Sequence, residues 1–394
     1  MDQRPTVGGA ASQIRTPRSA IDTSAAPIDT RGPSGPRQRF TGIEAARGIA
    51  ALLVVVYHAS RNIAEPRLYN TMLLNGHFEI FHVGVDFFFV LSGFIIAWMH
   101  WSDIGRPSRL KGYALRRLIR IYPPYWGILI PVTIAFYLSP GFGRGFDREL
   151  DTTLASLALV PWPKPLIIGV AWTLVYEMMF YVLFGLAIVL GRWGIWLFRI
   201  WFVAILVAQA FPPLPLPLNI LLSAYNLEFL LGVATAIFLS RAKVSRPALV
   251  AIGAGLAFAL FMALGNQFPD ISLAFRLAFG LPAAALIAGL VELERSGRLR
   301  VPSVLVFLGS ASYAIYLLHP VVLAALIHVL LRGLPQDVPL GLVLITLVAG
   351  GTAAGCLYHV LVERPLTRML RRRLIEPSKP PGAASADVAG GLVR

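Results

Sequence analysis

The chain has 394 residues, of which 56% are hydrophobic and only 14% charged, with 35 Lys and Arg against 20 Asp and Glu. Soluble domains carry a charged share of about 25%, so this composition excludes an ordinary soluble fold. The net charge of +15 does not point to nucleic acid, because the basic residues sit in short segments between apolar runs, as membrane topology requires.

Residues 1–39 are rich in Pro, Gly, Ser, Thr and Arg and hold almost no large apolar side chains. They cannot bury a core and are expected to form a disordered tail. No apolar stretch comes before Phe40, so the tail does not read as a signal peptide. Its arginines Arg4, Arg15, Arg18, Arg31, Arg37 and Arg39 hold it in the cytoplasm.

Ten spans are predicted beyond the tail, near 44–63, 79–100, 121–139, 170–190, 195–211, 219–239, 247–264, 274–292, 303–331 and 340–362. The fourth is preceded by Leu154–Val160 and the Pro-rich Pro161–Pro165, expected as a re-entrant or surface element. The ninth is longer than a bilayer requires, so Pro320 kinks it or its start lies along the interface. Pro212–Pro217 and Pro335–Pro339 read as tight outer connections. Lys and Arg crowd the tail, the segment from Arg106 to Arg120, the later loops Arg241–Arg246 and Arg295–Arg300, and the end of the chain. The expected fold is therefore all-α, a polytopic membrane bundle of about ten helices over 40–370. Both termini face the cytoplasm, and 371–394 forms a second basic, disordered tail. Any chemistry lies within the bundle or at its faces.

Several stretches place polar chemistry inside apolar runs. Arg47 and His58 are separated by ten uncharged, mostly apolar residues. On a helix, eleven steps of about 100° bring both to one face, roughly 16 Å apart along the axis. An imidazole at that membrane depth is a functional candidate; the structural alternative is snorkelling or a bond to a neighbouring helix. In His82–Phe94, Asp86 is a buried carboxylate that reads first as a helix–helix partner, and Ser92-Gly93 is a site of close helix approach. Arg116, Arg117 and Arg120, followed by Ile-Tyr-Pro-Pro-Tyr125, form the densest basic cluster beside a span. Such guanidiniums suit phosphate, and equally a topology signal or anionic lipid. Glu177 is an uncompensated acid in Trp172–Tyr181 and could orient a histidine, hold a cation or bond a substrate hydroxyl. Glu228 is another buried acid without an assigned partner, and His319 beside Pro320 is read as bonding a freed carbonyl. Glu363-Arg364 closes the last span. The single cysteine, Cys356, and the absence of His-x-x-x-His, Walker-type and Gly-x-Ser-x-Gly patterns leave no sequence support for a metal site, ATP use or a serine hydrolase.

Taken in order, Arg47–His58, Gly84–Phe94, Arg117-Leu-Ile-Arg120, Trp172–Tyr181 and Ser312–His319 resemble the acyltransferase-3 family of bacterial membrane O-acyltransferases, above all its exopolysaccharide-acetylating members. The resemblance runs from Phe40 to about Pro365. It implies a ten-helix protein of the bacterial cytoplasmic (inner) membrane that takes an acyl group, most often acetyl, from acyl-CoA. The acceptor is a hydroxyl of a glycan or lipid-linked saccharide. It further implies His58 as the catalytic histidine, with Arg47 and Glu177 assisting, and Arg117 and Arg120 at the CoA end together with Arg116 and Tyr125. Asp86, Trp172, Tyr181 and His319 are secondary candidates for orienting His58 or the substrate. No metal is implied. The partners are membrane lipids, and polysaccharide-assembly proteins or a second copy of the chain, with no nucleic acid. The family often carries two adjacent acids where this chain has only Glu177, followed by Met178. A transporter or flippase for a lipid-linked sugar, or a non-catalytic partner in polysaccharide assembly, would use the same buried charges differently.

Overall fold

The computed structural model describes residues 40–65, 69–139, 141, 143–265, 272–333 and 338–375. The expected tail 1–39, residues 376–394 of the second tail and the first part of the Pro335–Pro339 turn lie outside the described residues.

Among the described residues all regular structure is helical. In chain order the helices are α1 (Thr41–Ala64), α2 (Gly84–His100), α3 (Leu110–Leu138), α4 (Leu150–Ala158), α5 (Trp172–Leu190), α6 (Arg192–Ala208) and α7 (Leu218–Leu221). They continue with α8 (Asn226–Arg241), α9 (Pro247–Leu264), α10 (Leu273–Arg295), α11 (Ser303–Gly333), α12 (Leu340–Tyr358) and α13 (Arg364–Leu374). The boundaries follow local chemistry. Gly191, at φ +60, ends α5 in a conformation that other residues resist, and α6 starts at the next residue. Pro247 opens α9 at a position that needs no N–H. The Ser272 hydroxyl accepts the Phe275 N–H at 3.1 Å and caps α10. A π-helical turn, His359–Glu363, carries α12 into α13. Helix therefore continues to Leu374, four residues past the expected end of the membrane domain.

Nine helices among the described residues are long and apolar enough to cross a membrane. Of the about ten spans expected, one falls just short of that measure. The missing one is α6, which at 17 residues is a short span. Its passage follows from the packing. α1 and α11 run parallel, since Gly48 lies against Gly309 and His58 meets His319, at the same offset of 261 residues. Parallel helices need an odd number of passes between them. The series α2, α3, α5, α6, α8, α9 and α10 provides it only when α6 is counted.

The fourth span is the continuous helix α5, and the short element expected before it is α4. α4 lies antiparallel along α3, with the Tyr137 hydroxyl 3.5 Å from Thr153 Oγ1 at one end and the Tyr122 hydroxyl donating to the Ala158 carbonyl (2.8 Å) at the other. Tyr125 and Trp126 donate to the carbonyls of Ser156 (2.9 Å) and Leu157 (3.0 Å). Three α3 aromatics thus satisfy the last carbonyls of α4, which lipid cannot do. Leu159 turns the chain with φ +53, and a largely non-helical stretch leads to α5. Ile167 N–H donates to Ser156 Oγ at 3.0 Å and holds that stretch in the protein.

Small residues set how closely the helices approach. A Cβ on Gly309 would sit 1.7 Å from the Glu44 carbonyl oxygen, and one on Gly232 1.9 Å from that of Val90. A Cβ on Gly93 would meet the Phe229 carbonyl oxygen at 2.0 Å. These are backbone contacts, so nothing flexible can move aside. Gly309→Val is expected to destabilise the purified protein by at least about 3 kcal/mol, the upper range of overpacking costs. Gly253→Ala, which meets nothing within 4 Å, should leave the thermal midpoint unchanged or slightly raised. Equal midpoints for the two variants would contradict the assigned α1–α11 contact.

Candidate active site

A central cavity of about 70 Å³ lies between α1, α2, α3, α5 and α11. Arg47 and Arg120 enter it from different helices, together with Glu177, Ser92, Ser312 and Tyr313. Val85, Phe88, Phe89, Leu91, Ile95 and Leu174 supply an apolar wall. Glu177 is held in place: its carboxylate accepts from Ser92 Oγ at 2.9 Å and from the Tyr181 hydroxyl. Among the described residues neither Arg47 nor Arg120 makes a hydrogen bond or close ion pair. Their donors face open space, so the chamber carries two guanidiniums against one carboxylate. That surplus suits an anionic ligand.

The basic cluster before α3 divides. Arg120 reaches the cavity; Arg116 and Arg117 do not line it. Arg117 is buried, donates to His100 Nε2 at 3.2 Å and lies over the Tyr181 ring at 5.8 Å. His100 Nδ1 in turn is 2.8 Å from Asp103 Oδ2. Tyr125 is wholly buried at the end of α4 and also stays outside the cavity. Trp172 packs against Phe89, Tyr176 and Tyr225 at the start of α5.

His58 lies farther along α1, past the cavity, and does not line it. The end of the chamber on that side is Phe88 and Tyr316, whose rings are 6.0 Å apart. Tyr316 is fixed by contacts from its hydroxyl to the Val170 carbonyl (3.2 Å) and Thr173 Oγ1 (3.0 Å), and its ring lies 6.0 Å from that of His319. His319 Nε2 is 3.2 Å from His58 Nδ1. Two carbonyls settle the tautomers, because a carbonyl can only accept. His319 Nδ1 is 3.0 Å from the Ile315 oxygen and therefore carries hydrogen. Its Nε2 is then an acceptor in the neutral ring. His58 Nδ1, 3.0 Å from the Val54 oxygen, donates to that carbonyl and faces His319 Nε2. The lone pair of His58 is left on Nε2, where a base must have it.

The carboxylates do not orient this imidazole. Glu177 is committed to Ser92 and Tyr181. Asp86 pairs with Arg276, and Glu228 Oε1 lies 3.5 Å from Arg276 Nη1, with all three side chains at most 1% exposed. Arg276 also stacks over Tyr225 at 4.2 Å and Phe275 at 4.5 Å. This cluster ties α2, α8 and α10 together and gives Glu228 the partner that its position in the sequence did not reveal. His319 is the side chain that lies beside His58. The signal for it was present in Ser312, Tyr316 and His319, which fall at i, i+4 and i+7 on one helix face.

The sequence model of the Acyl_transf_3 family, described as an acyltransferase domain, matches residues 40–359. The chain belongs to this family of acyltransferases. It is similar to the exopolysaccharide production protein ExoZ of Rhizobium meliloti, 30% identical over 323 residues, which cover 76% of this chain and 93% of ExoZ. It is also similar to the acyltransferase MdmB of Streptomyces mycarofaciens, 30% identical over 373 residues, covering 85% of this chain and 93% of that protein. No solved structure matches. The match covers all five helices that line the cavity as well as His58 and His319.

Removing the cation of the buried cluster should leave two carboxylates without it. Arg276→Met is expected to destabilise the protein by about 3–5 kcal/mol, as for other broken buried pairs. The check is the thermal midpoint of the purified protein. A midpoint equal to wild type would show that the cluster does not hold α2, α8 and α10.

Proposed function

We propose that the chain is a multi-pass O-acyltransferase of the bacterial cytoplasmic membrane that moves an acyl group, acetyl in the first instance, from acyl-CoA to a hydroxyl of a cell-surface or lipid-linked glycan. The observation that carries the reading is the tautomer-fixed His58–His319 pair just past an arginine-lined chamber. The acceptor class is supported by the likeness to ExoZ, which is named for exopolysaccharide production.

The Arg47 end of the bundle is assigned to the cytoplasm. Arg106–Arg120, Arg241–Arg246, Arg295–Arg300 and Arg364–Arg373 all belong to connections or ends on that side in a ten-pass chain. Acyl-CoA enters there. Arg120 and Arg47 meet the negative charge of the donor, and the chamber holds its narrow arm. Arg47 and His58 are separated by roughly 16 Å of helical rise, the distance over which the arm must deliver its thioester. Tyr316 and Phe88 stand at the far wall; Tyr316 is held by its hydroxyl, so Phe88 is the side chain that shifts to bring the thioester to His58.

His58 Nε2 takes the proton of the acceptor hydroxyl as its oxygen attacks the thioester carbon. The hydrogen on His58 Nδ1 is shared between the Val54 carbonyl (3.0 Å) and the His319 Nε2 lone pair (3.2 Å), and both support the positive charge that develops on the imidazole. The carbon–sulfur bond then breaks, the proton on His58 goes to the departing thiolate, and ester and free CoA result. Arg47 sits on the donor side and steadies negative charge on the donor.

His58→Ala is expected to reduce acylation of surface polysaccharide by about 10²–10⁴-fold, the usual range for a lost general base. The measurement is mass spectrometry of the polysaccharide from a deletion strain carrying the variant at wild-type protein level. Normal acylation at that level refutes the role. Arg120→Ala should raise KM for acyl-CoA with a smaller effect on kcat. Arg117→Ala should instead lower the thermal midpoint, because it removes a buried partner of His100. The reverse pattern would return Arg117 to the donor site. A protein that moves lipid-linked sugar across vesicles without consuming acyl-CoA would favour the carrier reading.

A further inference from the structure

Hydroxyls within membrane helices normally bond a carbonyl one turn back on their own helix. Thr133, Thr235, Thr346 and Thr367 do so at 2.7–2.8 Å, and Ser310 bonds the Phe307 carbonyl at 2.7 Å. Ser312, two residues beyond Ser310 on α11, does not. Its side chain is 0% exposed, and its Oγ has no hydrogen-bond partner. It is also part of the lining of the central cavity. A buried hydroxyl without a partner is costly, and on a cavity-lining residue a small rotation lets it be completed by what enters.

Its position selects the group. With the offset of 261 that joins Gly48 to Gly309 and His58 to His319, Ser312 lies level with Ala51. That is roughly 6 Å along the axis from Arg47 and roughly 10 Å short of His58. A donor with its phosphates at the arginines and its thioester at the histidine passes Ser312 with the middle of its pantetheine arm. The arm's polar groups there are amides joined by methylenes. The lining of the same cavity combines polar groups, Ser92 and Glu177, with an apolar wall of Val85, Phe88 and Leu174.

We propose that Ser312 Oγ hydrogen-bonds an amide of the donor's pantetheine arm and keeps the arm in register between the arginines and the histidine pair. The assignment rests on the acyl-CoA reading above. Ser312 is a positioning residue: it touches the donor but not the reacting atoms.

The test uses the purified full chain in lipid nanodiscs, with CoA, acetyl-CoA and adenosine 3′,5′-bisphosphate as probes in calorimetry. Ser312→Ala should weaken CoA and acetyl-CoA by about tenfold, the value of one good hydrogen bond. It should leave adenosine 3′,5′-bisphosphate affinity and the thermal midpoint unchanged. Turnover should show the same split, with a raised KM for acetyl-CoA and kcat within about twofold of wild type. Ser312→Thr keeps the hydroxyl and should bind CoA within about threefold of wild type, whereas Ser312→Val, of the same shape, should not. A Ser312→Ala protein that binds CoA as tightly as wild type overturns the assignment and leaves the donor reading standing. Wild-type protein that binds neither CoA nor acetyl-CoA overturns the donor reading, and this assignment with it.

Discussion

The close parallel contact between α1 and α11 governs the arrangement of the candidate site. At Gly48 and Gly309 the two backbones come so near that neither position has room for a side chain. Two helices held that tightly cannot slide or rotate independently, so the register set at the glycines persists along both. Ten residues on, it brings His58 against His319; between these levels it places Ser312 and Tyr316 along the same line. The imidazole pair is thus a consequence of packing set at the other end of the site. Its hydrogen bonds then follow from ordinary helix geometry, because each Nδ1 reaches the carbonyl four residues back.

Around this pair the protein separates two kinds of buried charge. Asp86, Glu228 and Arg276 face one another across three helices and are closed to the cavity. Arg47 and Arg120 face open space. In a low-dielectric interior the first arrangement serves cohesion and the second is suited to a ligand. The element before the fourth span works with both. Because α4 ends against α3 and its last carbonyls are met by Tyr122, Tyr125 and Trp126, the stretch before α5 can place Val170 and Thr173 against Tyr316 without leaving backbone groups unsatisfied in lipid.

The sequence made some of this legible and hid the rest for physical reasons. Arg47 and His58 could be placed on one face because they share a helix. The re-entrant element before the fourth span was visible as a short apolar run followed by prolines. Arg117 and Arg120, by contrast, share a helix and a charge yet end in different surroundings, one under His100 and one in the cavity. Three residues of helical rotation separate them, and only the neighbours' positions decide what each meets. Glu177 and Asp86 were equally plausible supports for His58 as carboxylates in spans, but each has a nearer partner on another helix.

What the sequence determined by itself was everything that depends on local pattern: helical membrane spans, their approximate limits, the common face of Arg47 and His58, and the family motifs. The spans and the shared face follow from apolar run length and from the 3.6-residue period, which need no knowledge of neighbours, and the motifs from residue identity and order in a resemblance to a known family. Only the tertiary structure decided that His319 is the partner of His58, that Arg276 neutralises Asp86, and that Ser312 lines a cavity while its buried hydroxyl has nothing to bond. Each of these is a contact between side chains far apart in the chain, and helix packing creates it only once glycines such as Gly48, Gly93 and Gly309 let the backbones meet.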